Sequence, residues 1–183
     1  MEDRIKIVID AMGGDNSPWA LVEGAVLATK EHEDVFLYVV GPKQEIEAEL
    51  AKYEYNKDQI EVVDAPDVIT CHDHPVEAVR KKKDSSLIVG LNLVKEGKAE
   101  GLISAGSTGA VLVGGRMIVG RLKGIRRSPL APLIPREGGV SILIDCGANM
   151  DSRPTDLVQF AQMGSIYMEN VVGVRKPRVA IVN

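Results

Sequence analysis

Residues 5–18 read IKIVIDAMGGDNSP, and this stretch contains the first strand-to-helix step of the fold. An apolar run, residues 5–9, is followed by two adjacent glycines between two aspartates, and then by Ser17 and Pro18. Serine is a common helix cap, and proline suits the first turn of a helix. The stretch therefore predicts a strand, a tight glycine turn and a helix to about residue 33. Taken alone, it leaves open whether the turn holds a ligand or only redirects the chain.

The same alternation continues along the chain. Runs rich in Val and Ile are nearly continuous in apolar character, as is typical of parallel strands buried on both faces. We therefore predict one α/β domain over residues 1–183 with a parallel sheet and right-handed crossovers. The predicted strands are residues 5–9, 35–40, 60–63, 101–104, 140–144 and 179–182, with 130–134 at most an edge strand because of Pro132. The predicted helices are residues 17–33, 42–50, 75–83, 85–96, 107–121 and 154–171, and the two glycines Gly114 and Gly115 are predicted to serve close helix packing.

Composition narrows the classes of function. The chain has 183 residues, 45% hydrophobic and 26% charged, which fits a soluble globular protein with a substantial core. A net charge of -4 argues against a general nucleic-acid binder. Two cysteines, Cys71 and Cys146, form no disulfide framework and suit a reducing cytoplasm. The start of the chain predicts no signal peptide, and the strand-like run beside its last residue predicts that it is part of a longer protein.

Residues 104–110, SAGSTGA, leave one predicted strand and enter a helix. Ligands of open parallel sheets bind beyond the carboxyl ends of strands, where helix N-termini offer N–H groups. Gly106 and Gly109 permit close backbone approach, and Ser107 and Thr108 supply hydroxyl donors, so the pattern favours an anion site over a merely capped helix. It is not a nucleotide-binding Walker loop, because Ser107 stands where lysine is required.

Residues 145–152, DCGANMDS, follow another predicted strand. Asp145 and Asn149 can position a ligand, bind a cation or act as a base. Alternatively, Asp145 only accepts N–H bonds from its own turn, and both interpretations remain open. Cys146 has no evident histidine partner and is predicted to be inert and to point into the core.

Three charged stretches are less specific. Residues 71–75, CHDHP, lack the second spaced pair of ligands that structural zinc needs and predict an exposed loop. Residues 80–86, RKKKDSS, are typical of a solvated helix end, but they can also attract an anionic substrate or an acidic partner. The same two interpretations apply to residues 121–127, RLKGIRR.

Taken together, these motifs point to a known family. DAMGGD, RKKKDSS, SAGSTGA, GRLKGIRR, DCGAN and LVQFAQMGS occur in an order and spacing that resemble the bacterial phosphate acyltransferase family, PlsX, over essentially the whole chain. The resemblance implies a three-layer α/β/α fold with a mainly parallel sheet, shared with phosphotransacetylases and with isocitrate and isopropylmalate dehydrogenases. It implies conversion of acyl-acyl carrier protein and inorganic phosphate to acyl phosphate and free carrier protein, in the synthesis of phosphatidic acid. Family members continue beyond a VAIVN-like strand, and they usually carry asparagine where Ser107 stands here.

The resemblance also implies partners, location and site residues. It implies a cytoplasmic homodimer, peripherally associated with the membrane, whose product goes to a membrane glycerol-3-phosphate acyltransferase. No metal, cofactor or nucleic acid is expected. The alternatives are a phosphotransacetylase-like enzyme that uses acyl-coenzyme A and a non-catalytic module that binds a phosphoryl ligand. The expected site residues are Asp15, Asp145 and Asn149 in catalysis; Gly106, Ser107, Thr108 and Gly109 for phosphate; and Gly13, Gly14, Arg80, Lys81, Lys82, Lys83, Ser85 and Ser86 for substrate.

Overall fold

The computed structural model describes residues 4–182. Its contacts divide the chain into two compact units, with the boundary between Gly120 and Arg121. Among the residues that the structure describes, no helix is both long and apolar enough to cross a membrane.

The first unit is built on a four-stranded parallel sheet in the order β3-β2-β1-β4. Its strands are β1 (Ile5–Asp10), β2 (Val35–Gly41), β3 (Ile60–Asp64) and β4 (Gly101–Ile103). Its helices are α1 (Trp19–Glu31), α2 (Lys43–Leu50), α3 (Pro75–Lys81), α4 (Ser86–Lys95) and α5 (Thr108–Gly114), which continues as a π-helical turn, Gly115–Val119. The positions and types of these elements agree with the sequence prediction, because each strand carries the apolar run that identified it.

Both faces of this sheet are covered, as the nearly continuous apolar strands require. On one face, Ile9 and Val39 pack with residues of α1 and α2. On the other face, Val8 and Val40 pack with residues of α4. Helices on both sides of a parallel sheet make the predicted three-layer α/β/α fold, which is confirmed.

Local details differ at three places. Pro18 precedes α1, and the Ser17 hydroxyl donates to the Gly14 carbonyl oxygen at 3.1 Å, so the prediction that Ser17 caps the helix was wrong. The predicted helix to residue 121 ends earlier, because Gly120 adopts a φ of 96°. A Cβ on Gly114 would lie 2.6 Å from Leu91 Cδ1, which confirms close packing there, whereas Gly115 faces nothing within 4 Å, so its predicted packing role was wrong.

The second unit contains a hairpin and one long helix. β5 (Leu133–Arg136) pairs antiparallel with β6 (Gly139–Ile142), and α6 spans Pro154–Asn170. Residues 140–144 were expected in the parallel sheet, but Gly138 and Gly139, with φ of 73° and 147°, turn the chain back onto β5. Pro135 is tolerated in β5 because the sheet has only two strands, both of them edges.

The prediction of a strand at residues 179–182 was also wrong. The structure assigns no strand there, and Val179, Ile181 and Val182 are exposed. Within residues 4–182 no neighbouring strand supplies the hydrogen bonds that an apolar run needs to become a strand.

Candidate active site

The loops that follow β1 and β4 start side by side. Ile9 of β1 is opposite Ile103 of β4 in the parallel sheet. The β1 loop (residues 11–15) and the β4 loop (residues 104–109, which include the first two residues of α5) therefore leave the same edge of the sheet. A Cβ on Gly106 would lie 3.2 Å from Gly13 Cα, and one on Gly14 would lie 3.2 Å from the Ala105 carbonyl oxygen. The glycines are needed here because the two backbones touch.

A buried carboxylate joins the two loops. Asp10 ends β1 and is only 3% exposed. Its Oδ2 accepts a hydrogen bond from the Ser104 hydroxyl at 2.6 Å, and its Oδ1 accepts one from the Ser86 hydroxyl, also at 2.6 Å. The carboxylate therefore links β1, the start of α4 and the β4 loop.

Sequence reasoning missed Asp10 and Ser104 as site residues. The available signal was a carboxylate that closes an apolar strand, since a charge at a buried position requires polar partners. The local sequence could not show which hydroxyls are these partners, because Ser86 and Ser104 lie 76 and 94 residues from Asp10 along the chain.

The β4 loop presents donors at the start of α5. The Ser107 oxygen accepts a hydrogen bond from the Ala110 N–H at 3.3 Å, which caps the helix and leaves the hydroxyl proton free to donate elsewhere. Thr108 is exposed. A Cβ on Gly109 would lie 2.9 Å from Pro75 Cγ, so this glycine also allows α5 to approach α3. Phosphate binding by Gly106, Ser107, Thr108 and Gly109 stays a prediction.

The other predicted polar residues of the first unit differ in exposure. Asp15 is exposed beside the β1 loop glycines. Ser85 and Ser86 are buried, and the Ser85 hydroxyl donates to the Lys82 carbonyl oxygen at 2.8 Å. Both serine hydroxyls are therefore engaged inside the protein, and their contact with substrate stays a prediction.

The basic stretch at the end of α3 is partly paired. Lys81 forms an ion pair with Glu77 at 2.8 Å, and the exposed Lys83 donates to the Val79 carbonyl oxygen at 3.0 Å. Arg80 is also exposed. Lys82 donates to Asp73 Oδ2 at 2.8 Å and to the Val68 carbonyl oxygen at 2.7 Å. The Lys82 side chain thus holds the loop that precedes α3 in place.

That loop is the CHDHP stretch. The hydrogen bond from Lys82, followed by one from the Thr70 N–H, lowers the pKa of Asp73 from the ordinary 3.8 to about 2. Asp73 is therefore ionised and engaged by protein donors, while Cys71 and the two neighbouring histidines are exposed, as predicted for an exposed loop.

The DCGAN loop forms a second polar cluster within the second unit. Asp145 Oδ1 accepts the Leu130 N–H at 2.7 Å, and Oδ2 accepts the Asn149 N–H at 2.6 Å. Partial burial would raise the pKa of Asp145, but hydrogen bonds from Leu130, Asn149 and Ala148 together lower it. The structure thus shows the local bonding of a turn aspartate, and a ligand role for Asp145 or Asn149 stays a prediction. Cys146 is exposed, which corrects the expectation that it points into the core, because the turn directs it outward.

The basic segment RLKGIRR is anchored on α6. Asp156, in the first turn of α6, is fully buried and lies 3.6 Å from Arg126 Nη1 and 3.8 Å from Arg127 Nε. Gln159 accepts the Arg126 N–H at 3.1 Å and donates to the Gly124 carbonyl oxygen at 2.8 Å. The sequence alone did not identify Asp156 as a partner. Its buried carboxylate beside Arg126 and Arg127 shows that these arginines have an internal partner.

Comparison with known proteins decides the family. The model of a family described as fatty acid synthesis protein matches residues 5–183. Proteins called phosphate acyltransferase from Clostridium botulinum and Clostridium acetobutylicum are 52% and 53% identical to the chain over 98% and 97% of its length. The chain belongs to the phosphate acyltransferase (PlsX) family. It spans about half of these relatives, 54% of each.

Solved structures agree with this family on the fold. A phosphotransacetylase from Streptococcus pyogenes superposes with a TM-score of 0.70 at 22% identity, over 93% of this chain and 55% of that one. The EutD phosphotransacetylase from Staphylococcus aureus gives 0.67 at 20% identity, over 90% and 53% of the two chains. The PlsX chain therefore shares the phosphotransacetylase fold.

Proposed function

We propose that this chain provides the phosphate-binding part of an enzyme that converts acyl-acyl carrier protein and inorganic phosphate to acyl phosphate and free carrier protein. The observation that carries this proposal is the contact between the β1 and β4 loops, held by Asp10, next to the hydroxyls of Ser107 and Thr108. In a chain of the PlsX family, that combination of touching glycines and hydroxyl donors fits a small tetrahedral anion.

The chemistry needs positioning more than activation. A phosphate oxygen attacks the carbonyl carbon of the acyl thioester, a C–O bond forms, and the carbonyl electrons move onto the oxygen. When this intermediate collapses, the C–S bond breaks and the carrier thiolate leaves and takes up a proton. The thioester is already activated, so the main tasks are to hold phosphate beside the carbonyl and to stabilise the developing oxyanion.

The residues divide these tasks in our proposal. Ser107 and Thr108 donate their hydroxyl protons to phosphate oxygens, together with N–H groups of the first turn of α5. Gly13 and Gly14 let the β1 loop come close to the reacting groups.

Three polar residues orient ligand or solvent. They are Asp15, Asp145 and Asn149. The hydrogen bonds that lower the pKa of Asp145 keep it ionised near neutral pH, which makes it a poor general base. We therefore assign Asp145 an orienting role.

The basic stretch serves the charged substrates. We propose that Arg80 and Lys83, both exposed, attract phosphate or the acidic carrier protein, with Lys81 beside them. Lys82, Ser85 and Ser86 support that surface from within, because they are partly or fully buried and bond to protein atoms.

A trapping experiment tests the activity. Full-length protein is incubated with an acyl carrier thioester and phosphate, and hydroxylamine is added to convert acyl phosphate to the acyl hydroxamate. We expect hydroxamate that depends on phosphate. Its absence from a folded preparation would refute the proposed reaction.

The acyl donor is tested separately. We expect a higher kcat/KM with acyl-acyl carrier protein than with acyl-coenzyme A. A preference for the coenzyme A thioester would instead support a phosphotransacetylase-like enzyme. Phosphate binding without turnover of either donor would support a non-catalytic binding module.

Thr108→Ala tests the phosphate contact. Loss of one hydroxyl to a charged ligand should raise the phosphate KM or lower kcat by about tenfold, the equivalent of roughly 1.4 kcal/mol. Initial rates at low phosphate measure this. An unchanged rate there would contradict the role given to Thr108.

Family membership supports a wider setting. We propose a cytoplasmic homodimer, peripherally associated with the membrane, whose product goes to a membrane glycerol-3-phosphate acyltransferase in phospholipid synthesis. Light scattering tests the dimer, and sedimentation with anionic phospholipid vesicles tests membrane association. A monomer that stays in the supernatant would contradict both parts.

A further inference from the structure

Asp10 lies behind the β4 loop and has no assigned role in the proposed reaction. It is 3% exposed, so it is screened from solvent and from any ligand held by Ser107 and Thr108. A buried carboxylate costs free energy unless its oxygens are hydrogen-bonded. Here each oxygen accepts one serine hydroxyl, from Ser86 and from Ser104, and both bonds are short at 2.6 Å.

The direction of these bonds determines what Ser104 can do next. The Ser104 hydroxyl donates to Asp10 Oδ2, so its single proton points at the carboxyl group. The lone pairs of the Ser104 oxygen are then left to accept, and they accept the Gly106 N–H at 3.1 Å. The chain of bonds thus runs in one direction, from the Gly106 N–H through Ser104 to Asp10.

This chain of bonds orients the peptide between Ala105 and Gly106. Its N–H points inward at Ser104, while the Ala105 carbonyl oxygen lies against Gly14 of the β1 loop, 3.2 Å from where a Cβ would be. The Gly106 N–H is therefore bonded within the protein. The next donors along the loop, at Ser107 and Thr108, follow a peptide whose orientation is already set.

We propose that Asp10 is a positioning residue for phosphate, which acts through Ser104 to set the orientation of the β4 loop without touching the ligand. This inference rests on the proposed function. It also accounts for the glycine at position 13, since a Cβ there would lie 2.7 Å from both Asp10 Oδ2 and the Ser104 oxygen and would separate the pair.

Three variants of the full-length protein test the inference: Asp10→Asn, Ser104→Ala and the double variant. The asparagine is nearly isosteric, but it replaces one acceptor by a donor, so the Ser104 proton is no longer required to point inward. Ser104→Ala removes the acceptor of the Gly106 N–H altogether. Titration calorimetry with inorganic phosphate gives the Kd of each variant.

We expect Ser104→Ala to weaken phosphate binding about tenfold and Asp10→Asn about threefold. Because Asp10 acts through Ser104, the double variant should bind phosphate about as weakly as Ser104→Ala alone. The phosphate KM should rise in parallel, while the KM for the acyl donor stays unchanged. A general loosening of the site would move both KM values.

Thr29→Val is the matched control. It also removes a buried hydroxyl of the first unit, one that donates to the Val26 carbonyl oxygen within α1. We expect it to lose stability in urea but to keep the phosphate Kd. If Asp10→Asn does not fold, Ser104→Ala still decides the inference, because Asp10 acts only through Ser104: weakened phosphate binding with Thr29→Val unchanged supports it, and wild-type phosphate affinity overturns it.

The outcomes separate this inference from the proposed function. Wild-type phosphate affinity in Ser104→Ala, or additive losses in the double variant, would overturn the inference and leave the proposed function intact. A wild-type protein that neither binds phosphate nor forms acyl phosphate would overturn the proposed function and the inference with it.

Discussion

At the scale of single residues, Gly13 is closely enclosed by atoms of the β1 and β4 loops. Its missing side chain faces Asp10 Oδ2 and the Ser104 oxygen at 2.7 Å and the Gly106 nitrogen at 3.0 Å. These atoms are hydrogen-bonded to one another, so none can move aside without losing a bond.

Gly13→Ala should therefore destabilise the protein by about 1–3 kcal/mol, as expected for an added methyl in a filled space. It should also weaken phosphate binding, because it pushes Ser104 away from Asp10. Urea unfolding and phosphate titration measure the two effects. An unchanged unfolding midpoint together with wild-type phosphate affinity would show that the contact is not restrictive.

Asp73 gives a prediction on pH. Its pKa is lowered to about 2, first by the hydrogen bond from Lys82 and then by that from the Thr70 N–H. Since the folded pKa lies below the unfolded value of 3.8, the contribution to stability is present above about pH 4 and is lost as the pH falls toward 2.

Lys82→Met should raise the pKa of Asp73 toward its ordinary value, although the Thr70 bond keeps it somewhat below. Carbon-detected NMR titration of the carboxyl group measures this directly. Lys81→Met is the control, because Lys81 pairs with Glu77 and should leave Asp73 unaffected. Equal titration curves in all three proteins would rule out the assigned cause.

At the scale of the elements, two helical glycines lie in different surroundings, because Gly90 is buried against the sheet and Gly24 is exposed. A Cβ on Gly90 of α4 would lie 2.8 Å from Val8 Cγ1 and 2.9 Å from Leu102 Cδ1, both on the sheet. Gly24 of α1 faces nothing within 4 Å. The same substitution should therefore have opposite effects in the two helices.

Gly90→Ala should destabilise by about 1–3 kcal/mol, because β-branched Val8 is fully buried and cannot move aside. Gly24→Ala should stabilise by about 0.5–1 kcal/mol, since alanine is the better helix former and no contact opposes it. Thermal and urea unfolding measure both. The packing argument fails if the two variants shift stability in the same direction.

The hairpin shows what local pattern cannot decide. The run at residues 140–144 has the apolar character of a strand, and β6 does form there. Its partner and direction depend on Gly138 and Gly139, which turn the chain back onto β5. The apolar pattern therefore predicts that a strand forms, whereas the strand it pairs with depends on the conformation of the turn before it.

At the scale of the whole molecule, charge bears on how an acidic carrier protein would approach. This chain has a net charge of -4, so within it any attraction of an acidic partner comes from local clusters of cations and not from the net charge. The exposed cations at the end of α3, Arg80 and Lys83, supply such a local field.

Arg80→Glu should raise the KM for acyl-acyl carrier protein by at least about threefold, equivalent to roughly 0.7 kcal/mol, and moderate salt should diminish the difference. Lys57→Glu, an exposed cation just before β3, is the control of equal charge change and should have little effect. Steady-state rates of both variants at several salt concentrations measure these KM values. Equal effects of the two reversals would indicate net charge and not a docking surface.

By itself, the sequence determined the strand–helix alternation of the first unit and the family. These features are local or ordered along the chain: apolar periodicity, glycine turns and motif spacing. Only the tertiary structure decided that Asp10 lies between Ser86 and Ser104, that Asp156 is buried beside Arg126, and that β6 pairs with β5. The physical reason is that a buried polar group is stable only with its particular partners, and folding brings those partners from as far as 94 residues away.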